Sequence, residues 1–563
     1  MKRRGKWICL LVSTALLLTG CAGSPGNQGA TRETAQNTAQ SPFPDAAQPA
    51  DQNPARSPES VSSQGAVQGA APAEAPAAAN LTALQYEIEN IAVDFNHMWY
   101  YQWIEEQTGV HVEFDEVKDP EWNSSVSLVF ARDKLPDLIL RGSLDIEEYG
   151  VNRHLLLPLD EYMDRGCLPH YASLLEGSGL RNQLTASDGH IYQIGFLISQ
   201  DVNTIGHFFL NQAWLDRLGL PMPETAEELT ETLRRFRDED PNGNGQRDEI
   251  PMEFTFDDNI TGVYNLFSFF GLPLNEEYVY LDAAGRVAFA PESPAFIRTV
   301  EWMNRMYREG LLDVDFISQG SNIWAAKVNS GNVGLFSYWR LQNTALTPEV
   351  ARMYQVMIPV HAEGTEACLP RNMDIVEFGA AVTADCRDPE AALRWLDAQL
   401  ETENMLVSQN GPLGDTLIRR EDGRYEVTYV PPDNELYQRV PVICGQFFAP
   451  AEYYARVYVP AAHRQEKAGY CQKYEEAKVL ETVSHKVLTT VAAKTGSKDA
   501  RLTRLKARLK AVVDAALVSM VTQGVTEEGA EAFHQQLREA GSEEYRAIYQ
   551  ALYDRWQEGN AQP

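Results

Sequence analysis

A chain of 563 residues has room for two cores, and its 48 Lys and Arg against 79 Asp and Glu leave a net charge of −31. That balance argues against nucleic acid as a partner and against electrostatic adsorption to anionic lipid. Seven widely spaced cysteines give neither a disulfide framework nor a C-x-x-C zinc pair, and the ten histidines include no H-x-H or H-x-x-x-H spacing.

The first elements in chain order concern address. Lys2, Arg3, Arg4 and Lys6 precede an apolar run from Trp7 to Leu18, the layout of a secretory signal. As an uncleaved anchor the run is short: it spans about 18 Å of helix against a hydrocarbon core of about 30 Å. Leu18-Thr19-Gly20-Cys21 resembles the lipobox of bacterial lipoproteins, whose Cys takes a diacylglycerol and becomes the first mature residue. The resemblance implies a signal peptide over 1–20, lipidation at Cys21 and a protein tethered to the extracellular face of the cell membrane. From Ala22 to Asn80 the chain is Ala, Gln, Pro, Ser, Gly, Asn and Thr, charged only at Arg32, Glu33, Asp45, Asp51, Arg56, Glu59 and Glu74. Too little apolar area is present to offset ordering, so 21–80 reads as a disordered linker with a reach of about 45 Å.

The remainder, 81–563, reads as a folded body. Leu84, Tyr86 and Ile88 mark a strand, 98–107 a helix closed by Gly109, and Val110, Val112 and Phe114 a second strand. A helix over 121–132 and an apolar strand over Leu135–Leu140 follow. Strand–helix–strand–helix–strand points to a parallel sheet with helical crossovers. Later helices are expected at 226–239, 259–270, 292–309, 388–402, 472–495, 500–522 and 526–556, with strands at 333–337, 354–358 and 376–382. The fold class is α/β with two lobes, strands after 350 returning to the first.

Asp240-Pro241-Asn242-Gly243-Asn244-Gly245-Gln246-Arg247-Asp248-Glu249 is the sharpest chemical signal. Oxygen side chains stand at positions 1, 3 and 5, Gly at 6, a carbonyl donor at 7 and carboxylates at 9 and 10. Calcium takes six to eight hard oxygens, and an EF-hand loop supplies them at this spacing, although its terminal acid stands at 12. The competing reading is a polar Asn-Gly turn after a helix.

That loop sits in a longer passage. Asn211-Gln212-Ala213-Trp214-Leu215-Asp216-Arg217-Leu218-Gly219-Leu220-Pro221-Met222-Pro223-Glu224-Thr225 precedes it and Ile250-Pro251 closes it. With Leu135-Pro136-Asp137, the Asp188-Gly189-His190-Ile191-Tyr192 turn, Trp302 to Phe316, Asn329 to Phe336 and the closing Glu543 to Asp554, it resembles the family 1 extracellular solute-binding proteins of ABC importers. The likeness is to the subgroup of large lipoproteins that includes the LplA-like and alginate-oligosaccharide binders, and it covers about 84–556. Gln212-Ala213 replaces the usual Lys-Asp, and Gly195 a usual Pro. The resemblance implies a type II periplasmic-binding-protein-like fold with hinge strands and extra C-terminal helices. Lobe 1 would hold about 81–195 plus 355–390, and lobe 2 about 200–350 plus 395–563. It also implies a structural calcium held by Asp240, Asn242, Asn244, Asp248, Glu249 and the carbonyl of Gln246, away from a cleft that most commonly takes an oligosaccharide. The protein would act as a monomer that hands its ligand to permease subunits.

Sugar clefts pair aromatic platforms with planar hydrogen-bonding groups. Candidates at strand ends or in loops are Trp122 and Asn123 after the Asp119-Pro120 turn, Tyr338, Trp339 and Arg340 after the strand at 333–337, and Tyr453 with Arg456 between Pro450 and Pro460. Trp99 and Trp103 are four apart on a helix and read as core, as do Trp214 and Trp302. An enzyme is the first alternative. G-x-S-x-G, H-E-x-x-H, P-loop and G-x-G-x-x-G are all absent from the sequence, while carboxylate pairs stay open among 79 acids. A surface glycan-binding adhesin or sensor subunit uncoupled from transport is the second.

Overall fold

The computed structural model describes residues 78–560, except 88–92, 119–120, 177, 199–205, 257, 276, 342–345, 372–374, 431–432, 443–444, 446–447, 482–486 and 490–499. The expected signal, Cys21, nearly all of the expected linker and Cys444 lie outside the described residues. Cys167, Cys368 and Cys386 are free thiols.

Two sheets organise the body. β1 (Ala79–Glu87), β2 (Val110–Lys118), β3 (Leu138–Leu140) and β4 (Ile194–Ile198) belong to the first, and β5 (His207–Asn211) and β6 (Ile250–Glu253) begin the second. A hairpin of β7 (Val279–Leu281) and β8 (Val287–Phe289) stands apart. β9 (Val333–Tyr338) and β10 (Tyr354–Val356) then complete the second sheet, and β11 (Ile375–Val382) returns to the first. The strand orders are β2-β1-β3-β11-β4 and β10-β5-β9-β6. β1, β2 and β3 are parallel, as the alternation of strand and helix requires, and β11 runs against β3 and β4. β9 is parallel to β6 and antiparallel to β5.

Local rules account for most boundaries. Val110, Val112 and Phe114 point inward from β2 while His111, Glu113 and Asp115 face out. The helix Trp99–Thr108 stops at Gly109, whose φ of 70° suits a residue without Cβ. Thr225 and Glu228 form a reciprocal capping box on Ala226–Asp238, and the Asn211 side chain caps Gln212–Leu218. The sheet begins at Ala79, so the last two residues of the expected linker are strand. The helix expected over 526–556 is two, Glu527–Ala540 and Ser542–Asn560, broken at Gly541 with φ 103°. Of the helix expected over 472–495, residues 472–477 end the helix Ala462–Ala477, 478–481 are not helical, 487–489 are, and 482–486 and 490–495 lie outside the described residues.

The lobes divide differently from expectation. The core on the first sheet runs from Leu81 to Leu197 and resumes from Val376 to Tyr458; the second holds residues between Phe208 and Leu369 and between Tyr470 and Tyr553. β10 pairs with β5, so the chain is still in the second lobe at 355. Residues from 395 to about 459 belong to the first lobe. The helix Pro389–Ala398 follows β11 directly and lays Trp395 on Tyr101, ring centroids 5.6 Å apart, and Leu406, Leu417, Tyr425 and Tyr458 extend that core. The chain thus passes between cores after β4, before β11 and after Val459.

Two of the motifs turn out to be fasteners. The buried Asp137 carboxylate accepts from Thr82 N (2.9 Å) and Oγ1 (3.0 Å) and from Arg387 N and Nη2 (both 3.1 Å), tying β1 to the turn after β11. Burial pushes its pKa up, but the Arg387 and Thr82 donors outweigh this and hold it below the usual range. In the Asp188–Tyr192 turn, Tyr192 Oη donates to Asp188 Oδ2 at 2.7 Å.

Candidate functional site

Two groups of candidate residues lie at opposite ends of β9. At its start is the loop that joins the helix Ala226–Asp238 to β6. Asp240 adopts φ 49°, and its carboxylate accepts from the backbone N–H of Gly243 (3.0 Å), Asn244 (3.1 Å) and Gly245 (3.0 Å). Asn242 Oδ1 accepts from Asn244 N, and Asn244 Oδ1 from Gln246 N. The chain thereby coils around its own side-chain oxygens. Asn242 Nδ2 (2.9 Å) and Asn244 Nδ2 (3.0 Å) donate to Asp248 Oδ1. Gly243 has φ 77°, a left-handed conformation that favours glycine, and it lies beside the Arg217 guanidinium.

The loop's charges fit a cation. The amide donors hold the Asp248 pKa down, whereas burial, and then the charges of Asp248 and Asp240, push that of Glu249 up. Glu249 Oε1 is buried and has no hydrogen-bond partner. Among the described residues no three His, Cys, Asp or Glu side chains cluster as a metal site. A cation here would therefore draw on amide and carbonyl oxygens as well as carboxylates, the hard donor set that calcium takes.

At the far end of β9 stand Tyr338, Trp339 and Arg340. Tyr338 is opposite His207 in register and lies against Trp324, ring centroids 4.8 Å apart. Burial raises the Tyr338 pKa, with the charge of Arg340 opposing and that of Asp258 adding. Trp339 is half-buried, and Lys467, a residue only 6% exposed, places its Nζ 3.6 Å from the ring centroid. His207 bonds through Nδ1 to Tyr474 Oη at 3.0 Å; burial and then Lys467 push its pKa down to about 3, so it is neutral at physiological pH. β5 begins at His207, so Tyr338 and its neighbours lie at the end of the second sheet where β5 starts.

The first-lobe candidates fare unequally. Trp122 is core, not cleft: it is 2% exposed, donates from Nε1 to Ser143 O at 2.8 Å and meets Tyr86 edge-on. The helix that starts at Trp122 turns its apolar face to the sheet, and the ring goes with Val126 and Val129. Asn123 on the opposite face is exposed. Tyr453 packs on the first core and bonds to Thr402 Oγ1, with Arg456 over its ring. Trp99 and Trp103 are stacked (5.5 Å, 12°), but Trp99 is 36% exposed, while Tyr100, Tyr101 and Ile104 take the core. Trp214 and Trp302 are buried as expected. His207, Asp258 and Lys467 were missed in the sequence, because no local pattern marks a buried Lys or His that only topology brings beside β9.

Comparison with known proteins matches this architecture. The pattern of the bacterial extracellular solute-binding protein family fits residues 78–406, and the chain belongs to that family. The fructooligosaccharide ABC transporter substrate-binding protein FusA of Streptococcus pneumoniae is 25% identical over 333 residues, 57% of this chain and 61% of that protein. Lipoprotein LipO of Bacillus subtilis is 24% identical over 244 residues, 41% of this chain and 45% of LipO. The chain thus spans about three-fifths of FusA and under half of LipO in these alignments. Among solved structures, a FusA EF-hand mutant in complex with fructo-nystose superposes with a TM-score of 0.72 (20% identity, 85% of this chain, 99% of that one). An ABC-transporter-associated HMO-binding protein of Bifidobacterium longum infantis gives 0.73 (20%, 85% and 99%). The fold is the two-lobed, type II binding-protein architecture.

Proposed function

We propose that this protein captures an oligosaccharide between its two lobes and delivers it to the permease of an ABC importer, without transforming it. The observation that supports the reading is the Tyr338-Trp339-Arg340 run at the end of β9, with Tyr338 opposite His207 and Lys467 Nζ 3.6 Å from the Trp339 ring centroid. FusA and the Bifidobacterium protein, by their names, bind sugars on this fold. Closure would bring the exposed Asn123 toward a sugar stacked on Trp339. The protein works as a monomer held to the outer face of the membrane by lipid on Cys21, with no nucleic-acid partner. Asp240, Asn242, Asn244, Asp248, Glu249 and the Gln246 carbonyl would hold a structural calcium, which would supply positive charge to a loop that carries three carboxylates. The test of capture is calorimetry with a panel of fructans, milk oligosaccharides and plant-wall fragments, followed by chromatography of the recovered sugar. Saturable binding with intact sugar supports the reading, and a cleaved product would replace it with an enzyme. For the anchor, Cys21→Ser should release the protein into the medium or leave it unprocessed; unchanged mass and detergent partitioning would refute lipidation.

A further inference from the structure

The calcium reading assigns its donors to residues 240–249, yet a side chain from outside that stretch is built into the loop. Asn332 follows the Ser330-Gly331 turn, in which Gly331 has φ 79°. Its single amide reaches two loop side chains: Nδ2 donates to Asp248 Oδ2 at 2.9 Å, and Oδ1 accepts from Asn242 Nδ2 at 3.4 Å. Its backbone is pinned as well. Ile250 N, the first residue after Glu249, donates to Asn332 O at 2.8 Å, and Asn332 N donates to Ser330 Oγ at 3.2 Å. The next residue, Val333, opens β9 in parallel register with Ile250. Its carbonyl accepts from Asn211 Nδ2 (3.1 Å) and Tyr354 Oη (2.6 Å). Asn332 is therefore the joint between the loop and the strand that ends in the aromatic edge.

We propose that Asn332 is a positioning residue of the calcium site, which orients Asp248 and Asn242 for the ion and transmits occupancy of the loop to β9. The physical case has two parts. Asp248 is the loop carboxylate that collects side-chain donors, from Asn242, Asn244 and Asn332, and of these only Asn332 is anchored in a sheet. Groups behind metal ligands fix ligand orientation, and losing one typically costs about 10–100-fold in affinity. Conversely, three acidic side chains in one short loop repel one another when uncompensated, so the Asp248–Asn332 bond is firmest when a cation is bound. The start of β9 is then tied down most tightly in that state.

This inference rests on the calcium reading, and the experiment separates the two. Calcium affinity of the full-length wild type and of Asn332→Ala is measured by chelator-competition calorimetry. Hydrogen exchange of the peptide covering 333–338 is followed with calcium and with chelator. The expected result is a loss of about 10–100-fold in calcium affinity for Asn332→Ala, with melting in chelator close to wild type. Calcium should slow exchange in 333–338 of the wild type and leave it unchanged in the variant. Equal calcium affinity in the two proteins overturns the proposal and leaves the calcium site standing. So does calcium-insensitive exchange of 333–338 in the wild type, a readout that holds even if the variant folds poorly. No calcium binding by the wild type removes both readings.

Discussion

The two ends of β9 differ in how the chain supplies their chemistry. At the start, a run of ten consecutive residues brings nearly every polar group, and the loop folds around its own side chains through Asx-type bonds. At the far end, Tyr338-Trp339-Arg340 is joined by His207 from β5, Asp258 from the loop after β6 and Lys467 from a helix that follows the last passage between cores. The first site needs little beyond its own loop and Asn332. The second exists only after both the second sheet and the C-terminal helices have assembled. Structural tightness should therefore concentrate at the loop, and ligand sensitivity at the edge.

The largest effect expected at the loop end is on stability. If calcium binds only the native state, a hundredfold excess over Kd stabilises by about 2.7 kcal/mol. Chelation should lower the melting temperature, and Asp240→Ala should abolish the difference. Identical wild-type melts with and without chelator would erase the contrast between the two ends. At the aromatic end, Trp339→Ala should cost about 1–3 kcal/mol in binding, tenfold to a hundredfold in Kd, with a much smaller change in the denaturant midpoint. A collapse in stability with normal binding by the folded fraction would instead make Trp339 core.

A third test concerns what lies between the ends. Glu253, at the end of β6, is fully buried; Gln319 Nε2 donates to its Oε1 at 2.6 Å and Lys327 Nζ stands 4.0 Å from Oε2. Burial first, and then Asp313, push its pKa up to about 9. The folded state thus keeps a proton that the unfolded chain releases, so its contribution is full below pH about 4 and fades as pH rises toward 9. Glu253→Gln, which mimics the protonated acid, should raise stability by about 1–2 kcal/mol at pH 8 and do little at pH 4. Equal effects at both values would show that the proton is not held.

The smallest expected effect concerns His207, whose depressed pKa has the opposite sign. The unfolded chain binds a proton that the folded one refuses, so stability declines as pH falls from about 6.5 toward 3. His207→Phe should flatten that part of the melting profile by up to about 1 kcal/mol between pH 7 and pH 6. A wild-type slope in the variant would place the titration elsewhere.

How much of this was legible follows the same division. Period and capping give β1, β2, the helix closed by Gly109 and the helix beginning at Ala226 to within a few residues, because their causes are local. The calcium-type loop is legible because its donors are contiguous. The allocation of 395–459 to the first lobe is not, since Trp395 finds Tyr101 only through the return of β11. Trp122 misleads for a related reason. A turn before it suggests a cleft residue, yet the amphipathic face of its own helix carries the ring inward while Asn123 stays out. Lys467 lies in a helix whose start was placed ten residues too late.

The central claim is that a sugar is held, unaltered, at the edge formed by Tyr338, Trp339 and Arg340. The most direct measurement titrates wild type and Trp339→Ala with the tightest oligosaccharide of the panel and analyses the sugar afterwards. Saturable wild-type binding with the sugar recovered intact, weakened tenfold or more in a variant that melts close to wild type, is the result predicted here. Cleaved sugar, or equal affinity in the two proteins, would contradict it.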